Sequence, residues 1–291
     1  MLSLALALAA APAPAKPPRT PPEIVAAAPA SAWRAIPADD LLVIDYEGGG
    51  RTIVQLAPGF APVHVANIRR LANSGYWTGS AIYRVQDNYV AQWGTNDAKK
   101  TLPPGIVAKP PAEYVRSPRG LVIRPLGFAD AYAARVGFAG GWPVARYKDG
   151  SVSLTHCYGM VGVGRDLSPD TGMGGELYAV IGQAPRQLDR NIALVGRVIE
   201  GIEQMSALPR GTEALGFYKE GSVAKKIAQV RLASALPGSE RPAFEYLTET
   251  SPAFAAYLDR RANRDDDFYR VKAGGVDLCN APIPVRRVPA R

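Results

Sequence analysis

AIYRVQDNYVAQWG, from Ala81 to Gly94, is the stretch that decides the expected fold of this chain. Branched and aromatic residues dominate both of its ends, and the polar segment from Gln86 to Asn88 separates them. This pattern predicts two short strands joined by a turn, with Ile82, Arg84 and Gln92 on one face. An arginine above an apolar floor is typical of a binding site, and also of an edge strand whose arginine stem covers apolar surface. The stretch alone leaves both interpretations open.

More strands and a helix are predicted on its N-terminal side. Leu41 to Tyr46 and Thr52 to Leu56 are rich in branched residues and flank a run of glycines, which indicates a hairpin. Pro62 can occupy the first turn of a helix without losing a hydrogen bond, and apolar residues recur after it at helical spacing. The apolar face of this helix is expected to comprise Val65, Ile68 and Leu71. His64, in its first turn, is interpreted as an exposed residue.

Two further segments extend the pattern: FAPVHVANIRRLANSGYWTGSAIYRV from Phe60 to Val85, and GGELYAVIGQAPRQLDRNIALVGRVIEG from Gly174 to Gly201. Together with the first stretch they resemble the cyclophilin family of peptidyl-prolyl cis/trans isomerases. The resemblance covers about Leu41 to Leu232. It implies a mainly β fold, a closed eight-stranded barrel capped by two helices, the second of them from Ile199 to Leu208.

The resemblance places the family's catalytic arginine at Arg84, and its orienting glutamine at Gln92. Rotation about an X-Pro amide is slow because the nitrogen lone pair is conjugated with the carbonyl, which gives a barrier of roughly 20 kcal/mol. In the twisted transition state that lone pair is localised and accepts a hydrogen bond, so a fixed guanidinium stabilises the transition state selectively. No metal or other cofactor is expected.

The resemblance also implies the walls and rim of a proline pocket. The residues expected there are Tyr89, Val90, Gly164, Arg165, Glu176, Tyr178, Leu188 and Ile192. Several positions depart from the family pattern: Tyr83 replaces a histidine, Trp93 a glycine, Arg165 an asparagine, Glu176 a glutamine, and Gln187 the tryptophan associated with cyclosporin binding. Glu176 is interpreted either as a partner of Arg84 or as a residue that points to solvent.

The expected function is isomerisation of X-Pro bonds in envelope proteins, so that the partners are proline-containing polypeptides. One alternative is a binding or chaperone module that holds proline-containing segments with little turnover. Another is a structural envelope protein that acts through its added segments. The net charge of +8 raises the possibility of nucleic-acid binding. The Lys and Arg residues are scattered, however, and no nucleic-acid partner is expected.

The chain is expected to carry additions around the barrel. Residues 1–15 are assigned to a signal peptide, because an apolar run precedes a small-residue cleavage site, with an alanine-rich helix as the alternative. Residues 16–35 are assigned to a proline-rich linker and 36–234 to the cyclophilin-like domain, with an insertion at about 95–158. Residues 235–291 form a C-terminal extension packed on the domain. The protein is therefore expected to be periplasmic or secreted, monomeric and without a stable membrane insertion.

The insertion and the extension carry the remaining expectations. A strand is predicted at Leu121 to Ile123, and a satellite cluster from Phe128, Tyr132, Phe138 and Trp142. The extension is predicted to be helical, with a helix start at Ser251-Pro252; the apolar residues behind this prediction are Phe244, Tyr246, Leu247, Phe254 and Leu258. An independent partner-binding tail is the alternative.

Four residues near these additions carry the last predictions. Cys157 and Cys279 are the two cysteines, and a disulfide between them is predicted because export permits one; two buried free thiols are the alternative. A zinc site at His156 is not expected, because the chain has two histidines and no C-x-x-C motif. Arg197 is interpreted as a solvated strand residue.

Overall fold

The computed structural model describes residues 20–95 and 100–288. The predicted signal peptide, residues 1–15, lies outside this described part. The helices are α1 (Pro21–Ala26), α2 (Pro62–Asn73), α3 (Glu203–Ser206) and α4 (Pro252–Ala262). The strands are β1 (Trp33–Ala35), β2 (Leu41–Tyr46), β3 (Arg51–Leu56), β4 (Ala81–Val85), β5 (Val90–Gly94), β6 (Arg124–Pro125), β7 (Arg135–Ala139), β8 (Trp142–Arg146), β9 (Val152–Leu154), β10 (Met160–Val163), β11 (Leu177–Val180), β12 (Leu194–Glu200), β13 (Lys225–Leu232), β14 (Phe244–Leu247) and β15 (Val285–Arg287).

Eight antiparallel strands close into a barrel in the order β10-β11-β5-β4-β13-β2-β3-β12. Successive side chains of a strand point to opposite faces, so Leu42 and Ile44 of β2 enter the barrel interior while Leu41 and Val43 point outward. All four are fully buried. The outward pair is buried because the added segments cover this side of the barrel. The mainly β, eight-stranded fold predicted from the sequence is confirmed.

Helix α2 packs on the barrel core through Val65, Ile68 and Leu71, as the sequence predicted. The expectation that His64 is exposed is wrong, because the residue is fully buried. Its Nδ1 lies 2.6 Å from Oε2 of Glu113. The same carboxylate accepts a hydrogen bond from the His64 backbone N–H. The insertion thus covers the first turn of α2 and places a negative charge at its N-terminus, where the helix dipole favours it.

The insertion forms a four-stranded sheet in the order β6-β7-β8-β9. The predicted strand at Leu121 to Ile123 is misplaced, since β6 begins only at Arg124. The predicted satellite cluster is also wrong. Phe138 and Trp142 are buried in two different clusters against the outside of the barrel. The other two members are exposed: Phe128 at 37% and Tyr132 at 52%. The sheet packs onto the barrel wall and forms no core of its own.

The C-terminal extension adds α4 and a second sheet of order β1-β14-β15. Residues 244–247 are strand β14, where a helix was predicted, because they pair with β1 and β15. The predicted helix start is confirmed: the Ser251 hydroxyl accepts a hydrogen bond from Phe254 N at 3.1 Å. Phe254 packs in the cluster that holds the outward residues of β2.

Residues 20–35 are part of the folded structure, which corrects their assignment to a linker. Pro21 begins α1, a position where its missing N–H costs no helical hydrogen bond. Trp33 pairs with Leu247 of β14 and is buried. Composition favoured a linker because proline is rare in strands and helix interiors, but here Pro21 and Pro22 occupy the first helical turn.

β12 also differs from expectation. The strand continues to Glu200, and α3 covers only residues 203–206 of the predicted second helix. Arg197 is 8% exposed, so its interpretation as a solvated residue is wrong. It lies on the outer face of the barrel, beneath Trp142 of the insertion. None of the helices in residues 20–95 and 100–288 is long and apolar enough to span a membrane.

A disulfide joins Cys157 to Cys279, which ties the insertion to the extension. The two Cα atoms are 5.0 Å apart, and 122 residues separate the cysteines in sequence. The pairing predicted from the sequence is therefore the one observed, and the alternative of free thiols is wrong. A cross-link across so long a loop restricts the unfolded chain strongly.

Replacing both cysteines by alanine is expected to lower the free energy of unfolding by about 2 to 4 kcal/mol, because the unfolded chain regains loop freedom. Urea unfolding with and without a thiol reductant measures this. The reductant should shift the midpoint of the wild type and leave the double variant unchanged. A wild-type midpoint that does not respond to reduction contradicts the prediction.

Candidate active site

A groove of about 980 Å³ opens along one side of the barrel. The predicted site residues that line it are Arg84, Tyr89, Val90, Gln92, Gly164, Arg165, Glu176, Tyr178 and Ile192. Leu188 is not among the lining residues; it is half-buried in a short 3-10 turn formed by residues 186–188. The fold therefore gathers residues from β4, β5, β10, β11 and their loops at one place.

Arg84 is held by three hydrogen bonds. Its Nη1 donates to Gln92 Oε1 at 2.9 Å, its Nη2 to Gln86 Oε1 at 2.6 Å, and its Nε to the Leu215 carbonyl at 2.8 Å. A guanidinium has five N–H groups, so two are left without an acceptor among the described residues. The guanidinium also lies 5.5 Å from the centre of the Phe217 ring. Burial lowers the pKa of Arg84.

A β-bulge explains why two successive residues of β4 both face the groove. The pairing register between β4 and β5 shifts between Ile82 and Arg84, and Arg84 lies opposite Gln92. Neighbouring residues in a regular strand point to opposite faces, but a bulge re-aims one of them. Tyr83 therefore joins Arg84 in lining the groove, whereas the expectation that Ile82 shares this face is wrong, because Ile82 is buried in the barrel core.

Tyr83 connects Gln92 to Glu176 by hydrogen bonds. Gln92 Nε2 donates to the Tyr83 hydroxyl at 2.5 Å, and this hydroxyl donates to Glu176 Oε2 at 2.7 Å. Burial, together with the negative charge of Glu176, raises the pKa of Tyr83, so the phenol remains a donor. With its amide nitrogen fixed in this way, Gln92 turns its oxygen toward Arg84. Sequence reasoning missed this role of Tyr83.

Glu176 adopts neither of the two arrangements considered from the sequence. Its Oε1 accepts a hydrogen bond from the Thr95 backbone N–H at 2.9 Å, and its Oε2 accepts one from the Tyr83 hydroxyl. The carboxylate packs so closely over Gly94 that a side chain there would collide with it. The negative charge is therefore held away from the Arg84 guanidinium, which leaves the arginine's remaining donors available.

Trp93 does not disturb the groove. Its side chain is fully buried in the barrel core, on the opposite face of β5 from Gln92. β5 keeps its pairing on both sides, with Trp93 opposite Leu177 and Ile82. The tryptophan that replaces a glycine of the family pattern is therefore accommodated in the barrel interior, away from the groove.

The apolar wall is a small cluster of Val90, Tyr178 and Val180, with Tyr89 and Ile192 packed against it. Tyr178 lies opposite Gly162 of β10 in the barrel, and its ring covers that glycine. Any side chain at Gly162 would collide with the ring. Because position 162 is a glycine, the Tyr178 ring can lie directly against the β10 backbone.

A buried polar chain lies behind Tyr178. Its hydroxyl is 2.9 Å from His156 Nε2, and His156 Nδ1 is 2.9 Å from Asp189 Oδ1. Because a carboxylate only accepts, Nδ1–H donates to Asp189, and in the neutral ring Nε2 accepts from Tyr178. Burial raises the pKa of Tyr178. Arg186 continues the chain by donating to Asp189 and, at 2.9 and 3.1 Å, to both oxygens of Asp130.

The insertion thus supports the pocket from behind, since it contributes His156 and Asp130. For His156 the sequence excluded only a zinc site, and no local pattern links this residue to Tyr178. The outer rim has a similar origin: Leu215 and Phe217 come from the loop between α3 and β13. The Phe217 ring stacks on Tyr83 with centroids 6.0 Å apart.

Arg165 stands where the family pattern has an asparagine, and its guanidinium donates hydrogen bonds to backbone carbonyl groups. Its Nε and Nη2 donate to the Asn191 carbonyl at 3.1 and 3.0 Å. The next loop residues run past the groove, and Leu167 is 89% exposed. No cluster of His, Cys, Asp and Glu suited to a metal ion occurs in the part of the chain that the structure describes.

Comparison with known proteins agrees with this geometry. The family model described as cyclophilin type peptidyl-prolyl cis-trans isomerase matches residues 41–232, more than half of the chain. Probable peptidyl-prolyl cis-trans isomerases of Brucella suis and Brucella melitensis are each 27% identical over 168 residues, which cover 57% of this chain and 69% of the relative.

A solved structure shares the fold over most of both chains. The crystal structure of cyclophilin AquaCyp293 from Hirschia baltica superimposes with a TM-score of 0.71 at 24% identity, covering 89% of this chain and 94% of that one. The match reaches beyond the residues of the barrel. Barrel, groove and family match agree, and the chain belongs to the cyclophilin-type peptidyl-prolyl cis-trans isomerase family.

Proposed function

We propose that the groove isomerises X-Pro bonds of envelope proteins, with Arg84 donating a hydrogen bond to the proline nitrogen in the twisted transition state. The observation that carries this proposal is the fixed guanidinium, which keeps two N–H groups without a described acceptor beside the apolar wall. Tyr178, Val90 and Ile192 offer the surface on which a proline ring packs. Gln92 orients the arginine.

This arrangement favours the transition state over either ground state. A planar amide nitrogen is a poor acceptor because its lone pair is delocalised, whereas the twisted amide presents a localised pair. A donor already aligned at that position loses little entropy when the bond forms. The three bonds that hold Arg84 supply this alignment.

The proposed location is the periplasm or the extracellular space. The disulfide supports it, because such bonds persist in oxidising compartments. The apolar run from Leu2 to Ala11 gives independent support from the sequence. The proposed substrates are proline-containing segments of proteins that fold there.

A protease-free isomerisation assay on a short X-Pro peptide, followed by exchange NMR, tests the enzymatic function. The protein is expected to accelerate the cis/trans exchange, which takes tens of seconds without a catalyst. Peptide binding is measured in the same samples by titration. Exchange no faster than in buffer overturns the proposal of catalysis.

A second candidate function is a module that binds proline-containing segments with little turnover. The observation that favours it is Arg165, whose guanidinium is bound to the Asn191 carbonyl where the family pattern has an asparagine. Binding of the X-Pro peptide without faster exchange supports this second function. Faster exchange excludes it as the main activity.

Replacing Tyr83 by phenylalanine is expected to lower kcat/KM about tenfold. The substitution removes the hydroxyl that joins Gln92 to Glu176, while the ring can still stack on Phe217. Gln92 then loses the contact that fixes its amide. Tyr269→Phe, in an exposed loop of the extension, is the matched control and should keep wild-type activity. Equal activity of both variants contradicts the role given to Tyr83.

A further inference from the structure

A buried cation lies in a second cavity, on the outer face of the barrel away from the groove. Arg197 of β12 is 8% exposed, and its guanidinium lies 4.7 Å from the centre of the Trp142 ring. Gln55 Oε1 accepts hydrogen bonds from Arg197 Nε at 3.0 Å and from Nη2 at 2.8 Å. Both of these neighbours are uncharged.

Arg186 shows what is missing around Arg197. Arg186 is also buried, 4% exposed, and it forms ion pairs with Asp130 and Asp189. Among the residues that the structure describes, no carboxylate forms an ion pair with Arg197. Burial therefore lowers the pKa of Arg197 to about 10. A buried charge without a counter-ion is costly, so an anion at this position would be strongly favoured.

The unused part of the guanidinium has the geometry that carboxylates prefer. The two bonds to Gln55 occupy the edge formed by Nε and Nη2, so the end formed by Nη1 and Nη2 keeps one N–H on each nitrogen. Nη1 has no hydrogen-bond partner among the described residues, and it is not one of the fully buried unpaired atoms. It therefore retains accessible surface. Such an end binds a carboxylate through two parallel hydrogen bonds.

The cavity beside Arg197 has a volume of about 230 Å³, and most of the residues that line it are apolar. The insertion, the barrel and the extension all contribute to it, and the disulfide lies at one side. The apolar residues around it include Pro143, Met160, Val198, Leu278, Ile283 and Val285. At about 30 Å³ per heavy atom, this volume accommodates about eight heavy atoms.

We propose that this cavity binds a small organic carboxylate with an apolar body, the carboxylate on Arg197 and the body against the aliphatic walls. A phosphate dianion fits less well, because one guanidinium and apolar walls provide too few donors for it. Ligand binding here joins the added segments to the barrel, so it stabilises the folded chain by mass action. The site is separate from the groove and does not depend on the isomerase proposal.

Hexanoate, with eight heavy atoms, is the probe. In isothermal titration calorimetry on the full chain, hexanoate is expected to bind about ten- to a hundredfold more tightly than 1-hexanol, which lacks the charge. Hexylamine is expected not to bind, because its charge repels Arg197. Acetate tests the apolar walls and should bind more weakly than hexanoate. Equal affinity for hexanoate and hexanol, or for hexanoate and acetate, overturns the proposal.

Two variants separate the two halves of the site. Arg197→Gln removes the charge and is expected to abolish the preference for hexanoate over hexanol. Ile283→Trp keeps Arg197 and fills the cavity, and it is expected to abolish hexanoate binding. Circular dichroism checks the fold of each variant, and the probe series on the wild type decides the matter if one of them fails to fold. Unchanged hexanoate affinity in either folded variant also overturns the proposal.

Discussion

Replacing Arg84 by alanine is expected to lower kcat/KM for X-Pro isomerisation by about 100- to 1000-fold. Under the proposed mechanism the loss is this large because the arginine supplies a charged donor at the place where the nitrogen lone pair develops. The wild type holds that donor ready through Gln92, Gln86 and the Leu215 carbonyl. Truncation removes the donor without removing the apolar wall, so peptide binding should change far less than turnover. Exchange NMR on the same peptide measures both.

A conservative variant and a distant control variant help to interpret this result. Arg84→Lys keeps the positive charge but has no planar fork, so it is expected to restore little of the lost rate. Arg264→Ala removes an arginine of the extension that, like Arg84, lies over an aromatic ring, and this variant should keep full activity. If the alanine variant at position 84 retains most of the wild-type rate, the proposed mechanism is wrong.

The barrel and its main site residues were predictable because their signals are local. Strand periodicity around residues 81–94 brings Arg84 and Gln92 to one face, and the barrel pairs them directly. The hairpin of β2 and β3 and the apolar face of α2 follow from the same kind of pattern. Such signals depend on residues a few positions apart, so the sequence reveals them.

The missed features depend on segments that are distant in sequence. His64 and Arg197 were expected at the surface, but Glu113 and Trp142 of the insertion cover them. The link from His156 to Tyr178 joins the loop after β9 to β11, and the two residues are 22 positions apart in sequence. Periodicity identifies which face of an element is apolar, but it does not show which segment will cover the other face. The β-bulge at Tyr83 was missed for a related reason, since it appears only in the pairing with β5.

Replacing Arg186 by methionine is expected to lower the free energy of unfolding by about 3 to 5 kcal/mol. The arginine and its two aspartate partners are almost completely buried, with side chains 4% and 3% exposed. Burial alone would lower the pKa of Arg186, but the hydrogen bond to Asp130 and the charge of Asp189 outweigh it and raise the pKa. Methionine fills a similar volume and leaves two buried carboxylates without a cation. Urea unfolding measures the loss.

A double variant shows whether this loss of stability comes from unpaired buried charge or from a packing defect. If unpaired charge is the cause, Asp130→Asn combined with Arg186→Met should be more stable than Arg186→Met alone, because one of the stranded charges is gone. A packing defect would make the two losses additive. As a control, Arg287→Met breaks an ion pair with Glu200 in which the two side chains are 52% and 39% exposed. This variant should lose at most about 1 kcal/mol of unfolding free energy. Because Asp189 also holds His156 behind Tyr178, the Arg186 variant should in addition weaken peptide binding in the groove, which the exposed control leaves unchanged.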